Sequence, residues 1–339
     1  MKRAVILGEC QGGVVEASMP RPKEDWVLVK IHAAPLCTEY KTFTAGKKAA
    51  HLGHEAAGEV VEIAQPGRVK VGDRVAVMPQ YPCGTCTLCR SGEYIHCENV
   101  VDFTAFTGSD EGRATVAQYL LKQDWLLTPI PDDISYDHGA MACCGLGPTF
   151  GAFERMQVRG VDTVLITGLG PVGLGGVINA KHLGATVIAV ESHPYRVAKA
   201  KELGADHLID PRDEDALKQI MDLTKGIGVD KAVDCSGAVS AHRLAIDALR
   251  RRGQLTFVGE SGAETPLVIS RDMIRKGIDL KGNWHYNMKD TLNIMKVIAK
   301  NPYQLDKFIT HIFSIDDIQQ AWVTQASGEC GKVVVQPWS

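Results

Sequence analysis

Up to about Pro131 the chain alternates short apolar runs with turn residues: Val27 to Ile31, Ala57 to Ile63, Arg74 to Val77 and Val116 to Leu121. Apolar runs punctuated in this way predict strands, so the first part of the chain reads as β-rich. From Asp162 the texture changes to strand, glycine turn and helix in repetition, with Thr163 to Thr167, Val172 to Leu183 and Thr186 to Val190 as the first set. It continues through Tyr195 to Leu203, His207 to Asp210, Ala216 to Thr224, Lys231 to Asp234, Val239 to Arg250 and Gln254 to Val258. This alternation predicts a doubly wound parallel sheet, with a further strand near Ile278 to Lys281. A helix at Leu292 to Lys300 and an apolar strand at Lys332 to Val335 end the pattern, the strand being free to return to the first domain. The fold class is therefore α/β, a β-rich domain joined to a doubly wound one.

A chain of 339 residues exceeds what one small core organises, so two domains are expected. Hydrophobic residues at 45% and charged residues at 23% give an ordinary globular balance. Lysine plus arginine (37) nearly cancels aspartate plus glutamate (40), which removes the basic footprint of a nucleic-acid binder. The N-terminal apolar run stops at Gly8-Glu9, short of a signal-peptide core, and no stretch has the length of a membrane span. A soluble cytoplasmic protein is expected, without a membrane or nucleic-acid partner. Ten cysteines in that setting point to thiolate or metal chemistry before disulfides.

The most specific motif is Cys83, Cys86, Cys89 and Cys97 in CGTCTLCRSGEYIHC. Four thiolates at that spacing can close a tetrahedron round zinc and leave no position for substrate, although iron-sulfur ligation uses similar spacings and a metal-free cluster is also open. The second motif is Gly168-Leu169-Gly170-Pro171-Val172-Gly173, after an apolar strand and opening a helix, with Glu191 closing the next strand. In that context the glycines permit a tight turn, close approach of backbone to pyrophosphate and close helix packing, while Glu191 accepts from ribose hydroxyls. An acidic residue there repels a 2′-phosphate and favours NAD; Ser192 and Arg196 keep NADP open. The third set is dispersed: Cys37, Gly53-His54-Glu55 and Cys143-Cys144. Two thiolates and an imidazole can form an open zinc site, but buried cysteines and paired histidines are common without metal.

The order of Cys37, Gly53 to Glu55, the four-cysteine segment, Cys144 and the glycine fingerprint resembles the zinc-containing medium-chain dehydrogenase/reductases, and the match runs nearly end to end. Shorter phrases agree: Ala57-Gly58-Glu59-Val60, Val71-Gly72-Asp73-Arg74-Val75 and Gly331-Lys332-Val333-Val334. The resemblance implies a GroES-like catalytic domain at 1–147 with a structural zinc lobe at 83–97, a Rossmann NAD-binding domain at 148–286, and a return to the catalytic domain at 287–339. It implies two zinc ions per chain. The catalytic one is expected on Cys37, His54 and Cys144, with Glu55 beside or among the ligands and Cys143 demoted. Lys332 takes the position of a basic residue near the cofactor phosphates. The implied reaction is hydride transfer between a hydroxyl or carbonyl and nicotinamide, with zinc as Lewis acid. A homodimer or homotetramer is expected from the same likeness.

One segment departs from that family. Where a serine or threonine relay and then a histidine-supporting aspartate are usual, this chain reads Cys37-Thr38-Glu39-Tyr40. Glu39, or a rotated Thr38, is the expected proton acceptor; the alternatives are Glu39 as a metal ligand, as a general base, or pointing to solvent. Trp284-His285-Tyr286 resembles the pocket position of the family's polyol dehydrogenases, and Phe106 with Phe103 is expected to form an apolar wall. A polyol, cyclitol or sugar-like alcohol is the expected substrate. Three other readings compete: a zinc-independent reductase of the same superfamily acting on enones or quinones, an elimination or epimerisation enzyme that retains NAD, prompted by the odd Cys37 segment, and a non-catalytic zinc- or dinucleotide-binding protein.

Overall fold

The computed structural model describes residues 1–339 and divides into two compact units, Met1–Gly145 with Asn287–Ser339, and Leu146–Tyr286. No helix is long and apolar enough to cross a membrane.

The first unit begins with a hairpin of β1 (Lys2–Gly8) and β2 (Gln11–Glu16). Its main sheet is laid down by β3 (Trp26–Pro35), β4 (Ala56–Ile63), β5 (Arg74–Val77), β6 (Tyr119–Gln123) and β7 (Leu127–Pro129). β3 is the pivot, because it pairs antiparallel with both β4 and β6. Its apolar residues Val27, Val29 and Ile31 alternate into a core with Val60, Val75, Val77 and Leu120.

The second unit holds β8 (Thr163–Thr167), β9 (Thr186–Val190), β10 (His207–Ile209), β11 (Val229–Asp234), β12 (Leu249–Phe257) and β13 (Asp279–Gly282). The order is β10-β9-β8-β11-β12-β13, all pairs parallel. Strand order reverses between β8 and β11, which makes the carboxyl ends of those strands the place where such sheets bind ligands.

The chain then returns to the first unit with β14 (Ile309–Ser314) and β15 (Lys332–Gln336). β15 runs antiparallel to the end of β3, with Val335 opposite Ala34, so the C-terminal strand is part of the sheet that carries Cys37. Trp322, fully buried on the helix Ile318–Ser327, joins the same core.

Candidate active site

Strand register brings the dispersed ligand set together. In the antiparallel β3–β4 pair Ala33 faces Ala57, so continuing β3 to Cys37 leads back to the residues that precede β4, Gly53 to Glu55. Gly53 has φ +90°, and a Cβ there would lie 2.2 Å from Thr115 Oγ1, so glycine alone makes the turn that presents His54. Cys144 follows the helix Tyr136–Ala140, and its N–H donates to Glu55 Oε2 at 3.2 Å. The ligand atoms of Cys37, His54, Glu55 and Cys144 all lie within 4.8 Å of one another. The set is soft and mixed, two thiols, an imidazole and a carboxylate, which suits zinc. The Cys143 thiol instead lies 3.7 Å from the His54 carbonyl oxygen.

Glu39 is neither solvent-facing nor free. It is buried, its Oε2 accepts from the Cys37 N–H at 2.7 Å, and its Oε1 lies 3.3 Å from His54 Nδ1. It therefore performs, from two residues past Cys37, the histidine support that the family pattern assigns to the position now held by Tyr40. An Nδ1–H held this way leaves Nε2 as the nitrogen with a free lone pair. Burial raises the Glu39 carboxyl, but the bonds from His54 and from the Cys37 N–H outweigh it and hold it below the usual value. Thr38 is exposed, and its side chain does not cap the short helix that starts at Glu39.

Lys332 has a partner in its own unit. It is fully buried, with its ammonium 2.6 Å from Glu55 Oε1. Burial alone would lower its pKa; attraction to Glu55, and to the thiol groups of Cys37 and Cys144, outweighs this and raises it. Both Glu55 oxygens are thus engaged, one by Lys332 and one by the Cys144 N–H. Phe106 lies in an aromatic group. It packs 4.9 Å from Trp26, together with Tyr81 and Phe103.

The four-cysteine segment forms a closed cluster. Cys83 Sγ lies 3.6 Å from Cys97 Sγ and 4.0 Å from Cys89 Sγ, and Cys86 Sγ lies 4.0 Å from Cys97 Sγ. Four sulfurs at ordinary zinc–thiolate distance sit about 3.8 Å apart, so the cage has the right size. Backbone N–H groups of Thr85 and Cys86 donate to Cys83 Sγ, and those of Cys83 and Asn99 to Cys97 Sγ. Such donors favour thiolate, and with the Thr85 hydroxyl leading they pull the Cys83 thiol down to about 6.

In the second unit the fingerprint opens the helix Pro171–His182, with Gly170 at its N-cap and Pro171 in its first turn. A Cβ at Gly173 would lie 1.9 Å from the Gly168 carbonyl oxygen, whereas one at Gly170 would meet nothing within 4 Å. Gly173 thus serves packing, and Gly170 faces open space at a helix N-terminus, where a pyrophosphate fits. Val172 continues the first turn. Glu191 accepts from the N–H groups of Leu169, Ser192 and His193, and the Arg196 guanidinium stands 3.8 Å away. A carboxylate has about four acceptor positions, so one is left for a hydroxyl. Asn283 and Arg155 fasten the segment before Trp284 to the helix Gly147–Met156, and a Cβ on Gly151 would lie 2.5 Å from the His285 carbonyl oxygen. Tyr286 is buried against Phe150, while Trp284 is half exposed.

Sequence reading had missed Gln325, whose Nε2 donates to the Cys37 carbonyl oxygen at 2.6 Å. Nothing local marks it, since the contact joins residues 288 positions apart.

Residues 23–132 match the family described as alcohol dehydrogenase GroES-like domain, and residues 171–300 that described as zinc-binding dehydrogenase. The chain is 31% identical to D-arabitol-phosphate dehydrogenase of Enterococcus avium over 97% of its length and 95% of that protein. It is 32% identical to sorbitol dehydrogenase of Bacillus subtilis over 99% of its length and 97% of that protein. Among solved structures, alcohol dehydrogenase TADH from Thermus sp. ATN1 has the same fold, with a TM-score of 0.89 at 24% identity over 99% of both chains. With a shared fold, full-length similarity and both ligand clusters assembled, the chain belongs to the zinc-containing medium-chain dehydrogenase/reductases, enzymes of the alcohol and polyol dehydrogenase type.

Proposed function

We propose that the protein oxidises a secondary hydroxyl of a polyol, cyclitol or sugar-like alcohol, or reduces the matching ketone, with NAD as hydride carrier and two zinc ions per chain. The observation that carries the reading is Glu39 bonded to both Cys37 and His54 within one ligand group. Cys37, His54 and Cys144 would hold the catalytic zinc, and Cys83, Cys86, Cys89 and Cys97 the structural one. When bound, the first supplies a Lewis acid for the substrate oxygen and the nicotinamide accepts or donates hydride. Glu39 fixes the imidazole tautomer, and the Glu55–Lys332 pair keeps a balanced charge beside the ligands. Thr38, exposed beside Cys37, would pass the substrate proton to solvent.

The lone acceptor position left on Glu191 supports NAD over NADP, because a 2′-phosphate would meet a carboxylate. The names of the sorbitol and arabitol-phosphate relatives support a polyhydroxylated substrate, for which Trp284, His285 and Tyr286 would supply contacts. The unpaired edge of β13 supports a homodimer or homotetramer, and ten free cysteines support the cytoplasm. Glu39 is bonded through both oxygens to Cys37 and His54, which supports a positioning role over that of the general base in the NAD-retaining elimination or epimerisation reading.

The test is an assay of the zinc-loaded protein with NAD or NADP against polyols, cyclitols and simple alcohols, following reduced cofactor by absorbance. Chelator-sensitive formation of NADH with a polyol, and little with NADP, is the expected result. Absence of turnover with every alcohol, with NAD bound and never exchanged, would overturn it in favour of the retained-cofactor reading.

A further inference from the structure

Two hydrogen bonds hold the backbone of Cys37, one on each side of its α-carbon. Glu39 Oε2 takes its N–H at 2.7 Å, and Gln325 Nε2 donates to its carbonyl oxygen at 2.6 Å. The two partners come from different places, Glu39 from the adjoining helix and Gln325 from the C-terminal helix Ile318–Ser327. Glu39 also reaches His54 Nδ1, so it couples two members of the ligand group, while Gln325 ties the group to the part of the chain that carries Lys332.

Gln325 is unusual for its surroundings. It is 6% exposed, on a helix face whose other buried residues are Ile318, Ala321 and Trp322. Its Oε1 is buried without a hydrogen-bond partner, so the bond from Nε2 to Cys37 is the one that repays desolvation of the amide. A buried amide oxygen left unsatisfied costs stability; an apolar residue of similar size would avoid that cost but leave the Cys37 carbonyl oxygen without its donor. A side chain that is locally unfavourable for folding yet bonded to the backbone of a ligand residue has the signature of a positioning role.

We propose that Gln325 is a positioning residue for the catalytic metal: by fixing the Cys37 peptide from the carbonyl side, it sets the direction in which Cys37 Sγ meets the ion. This rests on the reading that Cys37, His54 and Cys144 hold that metal. With the amide removed, Cys37 keeps its Glu39 bond but its carbonyl plane is free to turn, and the thiolate points less accurately at the ion.

The experiment compares wild type with Gln325→Leu and with the longer, unbranched Gln325→Met. It measures zinc per chain, the rate of zinc release to a chelator, thermal unfolding of the metal-loaded and stripped forms, and the absorption bands of cobalt substituted for zinc. Both variants are expected to keep the lobe metal and, when stripped, to unfold close to the wild-type temperature, because losing the unpartnered Oε1 offsets leaving the Cys37 carbonyl oxygen without its donor. The other metal is expected to bind about 10–100-fold more weakly, with shifted cobalt bands. Unchanged release with unshifted bands overturns the proposal. So does failure of both stripped variants to fold, or equal weakening of both metals, because Gln325 is then a packing residue. A wild-type chain that retains only the lobe metal fails the ligand assignment itself, and this is seen before any variant is compared.

Discussion

At the scale of single residues, the candidate site is a set of buried charges that are tolerable only together. Lys332 and Glu55 are both fully buried and 2.6 Å apart. Removing one partner strands the other in a medium that solvates it poorly, at a cost of roughly 3–5 kcal/mol. Lys332→Met is therefore expected to lower unfolding stability by about that amount in urea titrations, with Lys332→Met/Glu55→Gln recovering most of it; a double variant no better than the single would refute the pairing. Glu39 yields a sharper test. Its two oxygens face two donors, the Cys37 N–H and the His54 Nδ1–H, whereas glutamine offers one oxygen and one NH₂ group. Whichever way the amide turns, one donor meets another. Glu39→Gln should weaken metal binding and lower kcat/KM by roughly 10–100-fold; metal content and steady-state kinetics measure both, and wild-type values would show that the carboxylate does not support the histidine.

At the scale of elements, β6 contains a cost that its pattern conceals. Lys122 lies in the run Leu120-Leu121-Lys122, is 3% exposed, donates to the Gln80 carbonyl oxygen and lies 4.1 Å from the Tyr81 ring centroid. Burial pushes its ammonium down to about 7. Below that pH the group is charged in both folded and unfolded chains; between there and its ordinary value near 10.4 only the unfolded chain binds the proton. This lysine's contribution to stability therefore rises with pH through that window, by up to ~1.4 kcal/mol per unit. Lys122→Met should be more stable than wild type at pH 7, with the gap closing by pH 10 in urea unfolding; a gap independent of pH would mean the lysine stays charged when folded. The same strand shows what a sequence discloses and what it withholds. The β8 to β12 alternation, the glycine loop and the return of β15 are legible because periodicity and glycine placement act over a few residues. A strand expected at Val116 to Leu121 instead forms at Tyr119–Gln123, where pairing with β3 decides its ends. Phe106 carries no local mark telling which end of β3 it will cover. The partners of Glu39, Lys332 and Gln325 are likewise set by where distant segments meet.

At the scale of the whole molecule, chain topology makes the two units unequal. Leu146–Tyr286 is one uninterrupted stretch that contains all six strands of its sheet and a core of its own around Leu165, Ile188, Ala232 and Leu255. The other unit is assembled from both ends of the chain. Without residues 287–339, β3 loses its β15 partner, Glu55 loses Lys332, Cys37 loses Gln325, and the core loses Trp322 and Val333. The first three losses leave polar groups unpaired and the last opens the core, so they act in the same direction. A fragment of residues 146–286 is expected to fold, to unfold in one cooperative transition, and to bind NADH with enhanced nucleotide fluorescence. A fragment of residues 1–145 is expected to stay unfolded by circular dichroism, whether or not zinc is added. If 1–145 folded alone and bound two metal ions, the C-terminal tail would be an accessory to the ligand group; if 146–286 failed to fold, the continuity of its sheet would not suffice for an independent core. The expected pair of results would instead mean that nucleotide binding precedes completion of the catalytic unit during synthesis, because that unit needs the last strand to be made.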